Sequence, residues 1–184
     1  MKNYNKNLKL LTQNHVYSEE MEHDACGVGL IASTEGKKSR TVVEHGIQAL
    51  KAVWHRGAVD ADGKTGDGAG IHLEIPKDFF IEKIQVTGHD YDNSEICVGM
   101  IFLPRNDYSS QESSKTIVES ELTKNNFSIY GWRQVPVNPK VLGEKAFQTM
   151  PEIIQVLFKS NDPNLLYKDL ERKIYETRKR IEIE

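Results

Sequence analysis

Apolar positions along the chain fall into short groups separated by polar stretches, and their spacing predicts strands alternating with helices. Residues 1–25 mix Asn, Lys, Glu and His with few apolar side chains and read as a leader or irregular arm. At Cys26 the character changes. Cys26-Gly27-Val28-Gly29-Leu30-Ile31-Ala32-Ser33 is a short apolar run bounded by the turn at Glu35-Gly36-Lys37-Lys38, the pattern of a buried strand. Val43, Ile47, Leu50 and Trp54 then recur at helical spacing behind a capping box at Thr41-Val42-Val43-Glu44, which predicts a helix over 39–54 with one face on a sheet. Residues 55–70 form a loop rich in Gly and Asp. Ile71, Leu73 and Ile75 alternate with His72 and Glu74, which predicts a half-buried strand that Pro76 ends. A short helix over 76–84, a polar loop over 88–95 and a second apolar strand over 96–103 come next. A polar helix over 109–124 precedes a strand within 127–137, broken by Pro136 and Pro139. An apolar strand over 153–158 and a long helix over 165–183 complete the pattern. There is no internal repeat.

Charge changes this picture little. The net charge of −3 and the lack of a basic stripe argue against nucleic acid as a partner. No apolar run approaches the roughly 20 residues of a membrane helix, so no membrane contact is expected. The polar start lacks the apolar core of a secretory signal, which points to the cytoplasm. The two cysteines, Cys26 and Cys97, form no CxxC, and no histidine stands at metal-ligand spacing from either. No metal or cofactor site is therefore predicted in this chain. Spacing alone leaves a Cys26–Cys97 disulfide open, although a cytoplasmic setting disfavours it.

The loop at 55–70 invites three ligand readings, and each fails on spacing. Gly63-Lys64-Thr65 ends like a phosphate-binding loop, but five residues separate Gly57 from Gly63 where the motif needs four, and Asp60 and Asp62 would repel a phosphate. Gly66-Asp67-Gly68-Ala69-Gly70 runs into Ile71 where a dinucleotide fingerprint needs its last glycine. A calcium loop from Asp60 would close on Ile71 instead of a carboxylate. What remains is a tight turn whose glycines permit positive φ or close backbone approach.

Cys26 reads in two ways from its surroundings: a small buried hydrophobe at a strand start, or a thiol nucleophile flanked by glycines that admit a substrate. His23 and His55 are near only in sequence. The wider pattern discriminates. Asp24-Ala25-Cys26-Gly27-Val28-Gly29 resembles the processing site and nucleophile of the glutaminase domain in glutamate synthase large subunits. His55-Arg56-Gly57-Ala58-Val59-Asp60-Ala61-Asp62 and Lys64-Thr65-Gly66-Asp67-Gly68-Ala69-Gly70-Ile71 resemble that family's second signature. Val98-Gly99-Met100-Ile101-Phe102-Leu103-Pro104, Gly131-Trp132-Arg133-Gln134-Val135-Pro136-Val137 and the charged end at 171–182 agree in order.

The resemblance implies a class II glutamine amidotransferase with an N-terminal-nucleophile fold. That is an α+β, four-layer αββα sandwich of mainly antiparallel sheets, incomplete in this chain. It implies a leader over 1–25 and the first portion of the amidotransferase domain over 26–184. Cys26 is the implied nucleophile, exposed as the first residue after cleavage, and glutamine is the substrate. Arg56 and Gly57 take the pocket position beside it; alternatively Arg56 pairs with Asp60 or Asp62 at a helix end. Cys97 is expected to be a buried strand residue without a catalytic role. For the full enzyme the resemblance implies FMN, an iron–sulfur cluster, NADPH, the remaining 2-oxoglutarate and FMN domains of the large subunit, and a small NADPH-oxidising subunit. NADH or ferredoxin are the alternative electron sources. The family's oxyanion hole comes from an Asn-Gly pair, and no Asn in this chain precedes a Gly, so the chain alone is expected to be inactive. A stand-alone or different class II amidotransferase subunit, and a non-catalytic remnant, stand as the other readings. The long insertion between Gly57 and Asp67 favours glutamate synthase.

Overall fold

A computed structural model describes Lys6, Lys9 and residues 27–53 and 57–184, which divide into two units at the boundary between residues 56 and 57. In the first unit, α1 (Arg40–Ala52) matches the predicted helix closely. Its N-cap is Ser39, whose Oγ accepts from the Thr41 amide at 3.2 Å. The capping box predicted at Thr41 is thus corrected. The hydroxyl that satisfies a free amide is the one just before the first helical turn, where the backbone is still extended. Val43, Ile47 and Leu50 make the half-buried face.

The predicted strand over 26–33 does not form. Among its described residues, 27–33 make no ladder, and Val28 and Leu30 lie 94% and 89% exposed. The strand predicted at Ile71–Ile75 is corrected for the same reason, as is a strand start at Asp67–Gly70: among the described residues neither segment joins a ladder, although Asp67 bonds across to Ala58. A strand is defined by its partner, and apolar spacing reports only which side chains could be covered.

The second unit holds α2 (Lys77–Val86), β1 (Cys97–Leu103), α3 (Tyr108–Lys124), β2 (Phe127–Gln134), a 3-10 turn (Pro139–Val141), α4 (Glu144–Gln148), β3 (Glu152–Ser160) and α5 (Tyr167–Ile183). The three strands form one antiparallel sheet in the order β1-β3-β2. The last strand therefore inserts between the first two. Being central, β3 buries both faces: Val156 and Phe158 point one way and Leu157 the other, which is why its sequence is continuously apolar.

On one face Cys97, Phe127, Val156 and Phe158 pack on Val118 and Leu122 of α3 and Leu170 of α5. On the other, Leu157, Tyr130 and Ile96 pack on Phe80 and Ile84 of α2. On β1, Met100 and Phe102 alternate with the core positions and are 48% and 63% exposed. The arrangement is α+β with an antiparallel sheet, consistent with part of the sandwich that the resemblance implies. The described residues contain one sheet of the expected pair.

A bulge fixes how β2 sits. The register shifts between Ile129 and Gly131, so that Ile129 and Trp132, three apart, both face the α3–α5 side while Tyr130 faces α2. Gly131 has φ +148, and a Cβ there would lie 2.7 Å from the Thr87 Cγ2. Only glycine fits both conditions. The Thr87 hydroxyl donates to the Tyr130 carbonyl at 2.7 Å and binds the end of α2 to the bulge.

Candidate functional site

The nominated nucleophile Cys26 and the nominated pocket residue Arg56 lie outside the described residues, as do His23, Trp54 and His55. Gly57 is described and exposed, at the start of the second unit.

The loop that follows Gly57 is built from its own acids. Val59 and Gly66 form an antiparallel bridge. The Asp60 amide donates to the Thr65 carbonyl at 2.7 Å, and the Asp67 amide donates to the Ala58 carbonyl at 3.3 Å. Asp67 returns the favour with its side chain: Oδ2 accepts from the Ala58 amide at 2.8 Å, locking the base of the hairpin beside Gly57. Asp62 organises the tip. Its Oδ1 accepts from the amides of Lys64 and Thr65 at 2.9 and 2.7 Å, and its Oδ2 accepts from the Thr65 hydroxyl at 2.6 Å. The Thr65 hydroxyl, then these amides, hold the Asp62 carboxyl well below the usual carboxylate range.

The tight-turn reading of this loop is borne out: Gly63 has φ +68 at the tip. The Asp oxygens are occupied by loop amides and a hydroxyl, so they act as structural acceptors. Asp60 Oδ2 pairs with Lys145 Nζ at 2.6 Å and Asp62 with the amides, while Arg56, for which these two acids were the alternative partners, lies outside the described residues. Among the described residues, no group of three or more His, Cys, Asp or Glu is placed to hold a metal ion.

Lys145 and Gly143 escaped sequence reasoning. Residues 138–150 carry no apolar period, but Gly143 followed by acidic Glu144 is a helix-start signal and marks α4. A Cβ at Gly143 would collide with the Asp62 carboxylate and the Thr65 hydroxyl. The hairpin tip therefore rests directly on the backbone at the start of α4.

Cys97 behaves as expected of a packing residue. It is 4% exposed, and burial, then the nearby carboxylates of Glu95 and Glu171, push its thiol up to about 12. A thiol so protonated is no nucleophile. An open groove of about 530 Å³ lies where β1 ends and β3 begins, lined in part by Phe102, Arg105, Gln148 and Met150. The Arg105 guanidinium stacks on Phe147 at 4.6 Å. Among the described residues that line the groove there is neither a cysteine nor Gly57.

Among the described residues no helix is long and apolar enough to cross a membrane.

Comparison with known proteins supplies the context for this loop. The chain is 50% identical over 179 residues to the glutamate synthase [NADPH] large chain of Azospirillum brasilense, covering 97% of this chain and 12% of that protein. It is 38% identical over 175 residues to the ferredoxin-dependent glutamate synthase of Pyropia yezoensis, covering 95% of this chain and 11% of that protein. It is 40% identical over 162 residues to ferredoxin-dependent glutamate synthase 1 (chloroplastic/mitochondrial) of Arabidopsis thaliana, covering 88% of this chain and 10% of that protein. The chain thus spans only 10–12% of the length of these relatives. The family of class-II glutamine amidotransferases matches residues 26–184, which is all of the chain from Cys26 onward. The chain belongs to the class-II glutamine amidotransferases.

Proposed function

We propose that this chain is the opening part of the glutamine-hydrolysing domain of a glutamate synthase, with residues 1–25 removed and Cys26 as the nucleophile. The observation that carries the reading is where the family match begins: at residue 26, on the cysteine itself. A cysteine at the first position of a mature chain holds its own base. Its α-amine has an ordinary pKa near 7.7–8.0, so much of it is neutral near neutral pH and can accept the thiol proton. The sulfur attacks the side-chain amide carbon of glutamine. Ammonia leaves with a proton from the same amine, and a glutamyl thioester remains. Water then attacks the thioester, releasing glutamate and restoring the thiol.

Arg56 and Gly57 line the pocket beside Cys26. The released ammonia serves glutamate synthesis from 2-oxoglutarate elsewhere in the full protein. Greater identity to the relative named for NADPH than to the ferredoxin-dependent ones supports NADPH as electron source, with a small NADPH-oxidising subunit as partner. FMN and an iron–sulfur cluster would carry those electrons. The residues present do not fit a cluster, since two cysteines are too few for a four-thiolate site. Such groups belong to other regions. A working thiol nucleophile also suits the reducing cytoplasm.

The test uses protein expressed from the complete gene. Intact-mass measurement should show a chain beginning at Cys26. Cys26→Ala should abolish glutamate formation from glutamine while leaving ammonia-dependent synthesis measurable. A fully active protein that retains residues 1–25, or equal loss of both activities in a folded Cys26→Ala variant, would overturn the reading.

A further inference from the structure

The hairpin after Gly57 is internally bonded yet mostly exposed, with no hydrophobic face of its own to seat it. A two-stranded hairpin of this kind is marginal in water and needs an external hold. Residues 143–145 provide one. Lys145 Nζ meets Asp60 Oδ2 at 2.6 Å across 85 positions of sequence. The Glu144 backbone amide adds the smallest of the contributions that hold the Asp62 carboxyl low. Gly143 offers a bare backbone against which Asp62 and Thr65 pack, with no room for a Cβ.

From this geometry we infer that Lys145 and Gly143 are positioning residues for glutamine hydrolysis: they latch the hairpin at 58–67 and so set the backbone at Gly57. The inference rests on the proposed reading of Arg56 and Gly57 as pocket residues. The coupling is mechanical. The bonds of Ala58 to Asp67 and of Asp60 to Thr65 tie tip to base, so a displaced tip carries the base, and Gly57 precedes that base by one residue. Neither latch residue touches the substrate. Small displacements still matter, because a misplacement of about 1 Å far from the chemistry can cost about 100-fold in rate.

The experiment measures glutamine hydrolysis and thermal midpoint in protein expressed from the complete gene. Lys145 is exposed, so Lys145→Glu should fold and keep its midpoint within about 2 °C, as surface changes do. It should lose about tenfold in kcat/KM for glutamine, since a like charge now faces Asp60. Adding Asp60→Lys to Lys145→Glu should bring kcat/KM back to within about twofold of the parent by restoring the pair. Gly143→Val should lose at least as much as Lys145→Glu. Unchanged glutamine kinetics in Lys145→Glu and Gly143→Val, alongside a loss in Arg56→Ala, would overturn the latch and leave the pocket reading standing. Unchanged kinetics in Arg56→Ala would overturn the pocket reading and the latch with it. A loss in Lys145→Glu that tracks a fallen midpoint and is not rescued by Asp60→Lys would mark general destabilisation and also overturn the latch.

Discussion

The Tyr130 phenol donates to Asp92 Oδ1 at 2.9 Å and joins the bulge of β2 to the loop after α2. Lys159 of β3 pairs with the other oxygen of the same carboxylate and lies 5.5 Å from the Tyr130 ring. Strands β2 and β3 and the α2 loop therefore meet on one acid. Tyr130 is 4% exposed, so its hydroxyl depends on this acceptor.

Removing the phenol oxygen should cost about 1.5–3 kcal/mol, the usual worth of a hydrogen bond to a charged acceptor. Urea unfolding of Tyr130→Phe at pH 7 checks it. Acid should act through the same carboxylate. Lys159 first, then Ser94 and Tyr130, hold Asp92 below the usual carboxylate range in the folded chain. The unfolded chain then takes up the proton first as the pH falls below about 4. Stability from this group is present above that pH and drains away below it. Asp92→Asn should flatten the acid limb of urea midpoints measured between pH 5 and 3; an unchanged limb would count against the assignment.

Cys97 should resist iodoacetamide at pH 8 in the folded protein and react once the protein is unfolded in guanidinium. Its thiol is pushed up to about 12 in the fold, against about 8.5 in an unfolded chain. A raised pKa means that the unfolded chain loses the proton first. The contribution is complete below about pH 8.5 and is lost as the pH rises toward 12. Peptide mapping after alkylation reads the first point. Cys97→Ala should retain glutamine use at a packing cost of about 1 kcal/mol.

Gly131→Ala should destabilise the protein by about 1–3 kcal/mol through backbone strain at φ +148, with the overlap on Thr87 adding to it. Thr87→Ser removes the methyl group that stands 2.7 Å from the added carbon. The double variant Gly131→Ala, Thr87→Ser should regain part of the loss in a urea double-mutant cycle. Strict additivity would show that Thr87 does not sense the new carbon.

The 184-residue chain on its own, trimmed to begin at Cys26, should show no glutaminase turnover above a Cys26→Ala control. A thiolate beside an amine cleaves amides poorly without an oxyanion hole, and loss of one donor typically costs about 10²- to 10³-fold. No Asn-Gly pair occurs in the sequence to supply the family's donors. Glutamate release at roughly 1 per second or faster, absent in the control, would show that the chain carries its own oxyanion site.

Much of the second unit was legible from spacing. The helices α2, α3 and α5 and the strands β1, β2 and β3 lie within a few residues of where apolar period, Pro76, Pro136 and Pro139 put them. Local chemistry also announced the turn at Gly63. What spacing could not separate is an apolar run that pairs from one that does not. Val28 and Leu30, or Ile71 and Leu73, read like the residues of β1, but β1 has β3 beside it and they have no partner strand among the described residues. Pairing is a property of two segments, and neither segment contains it alone. The same reason hides the insertion of β3 between β1 and β2, the bulge that puts Ile129 and Trp132 on one face, and the Lys145–Asp60 contact that seats the loop beside Gly57. By itself, the sequence determined the longer helices, the apolar runs that could become strands, and the resemblance that singled out Cys26, because all are written in short local runs. Register, sheet order and the hold on the hairpin were decided only by the tertiary structure, because each depends on the distance between residues far apart in the chain.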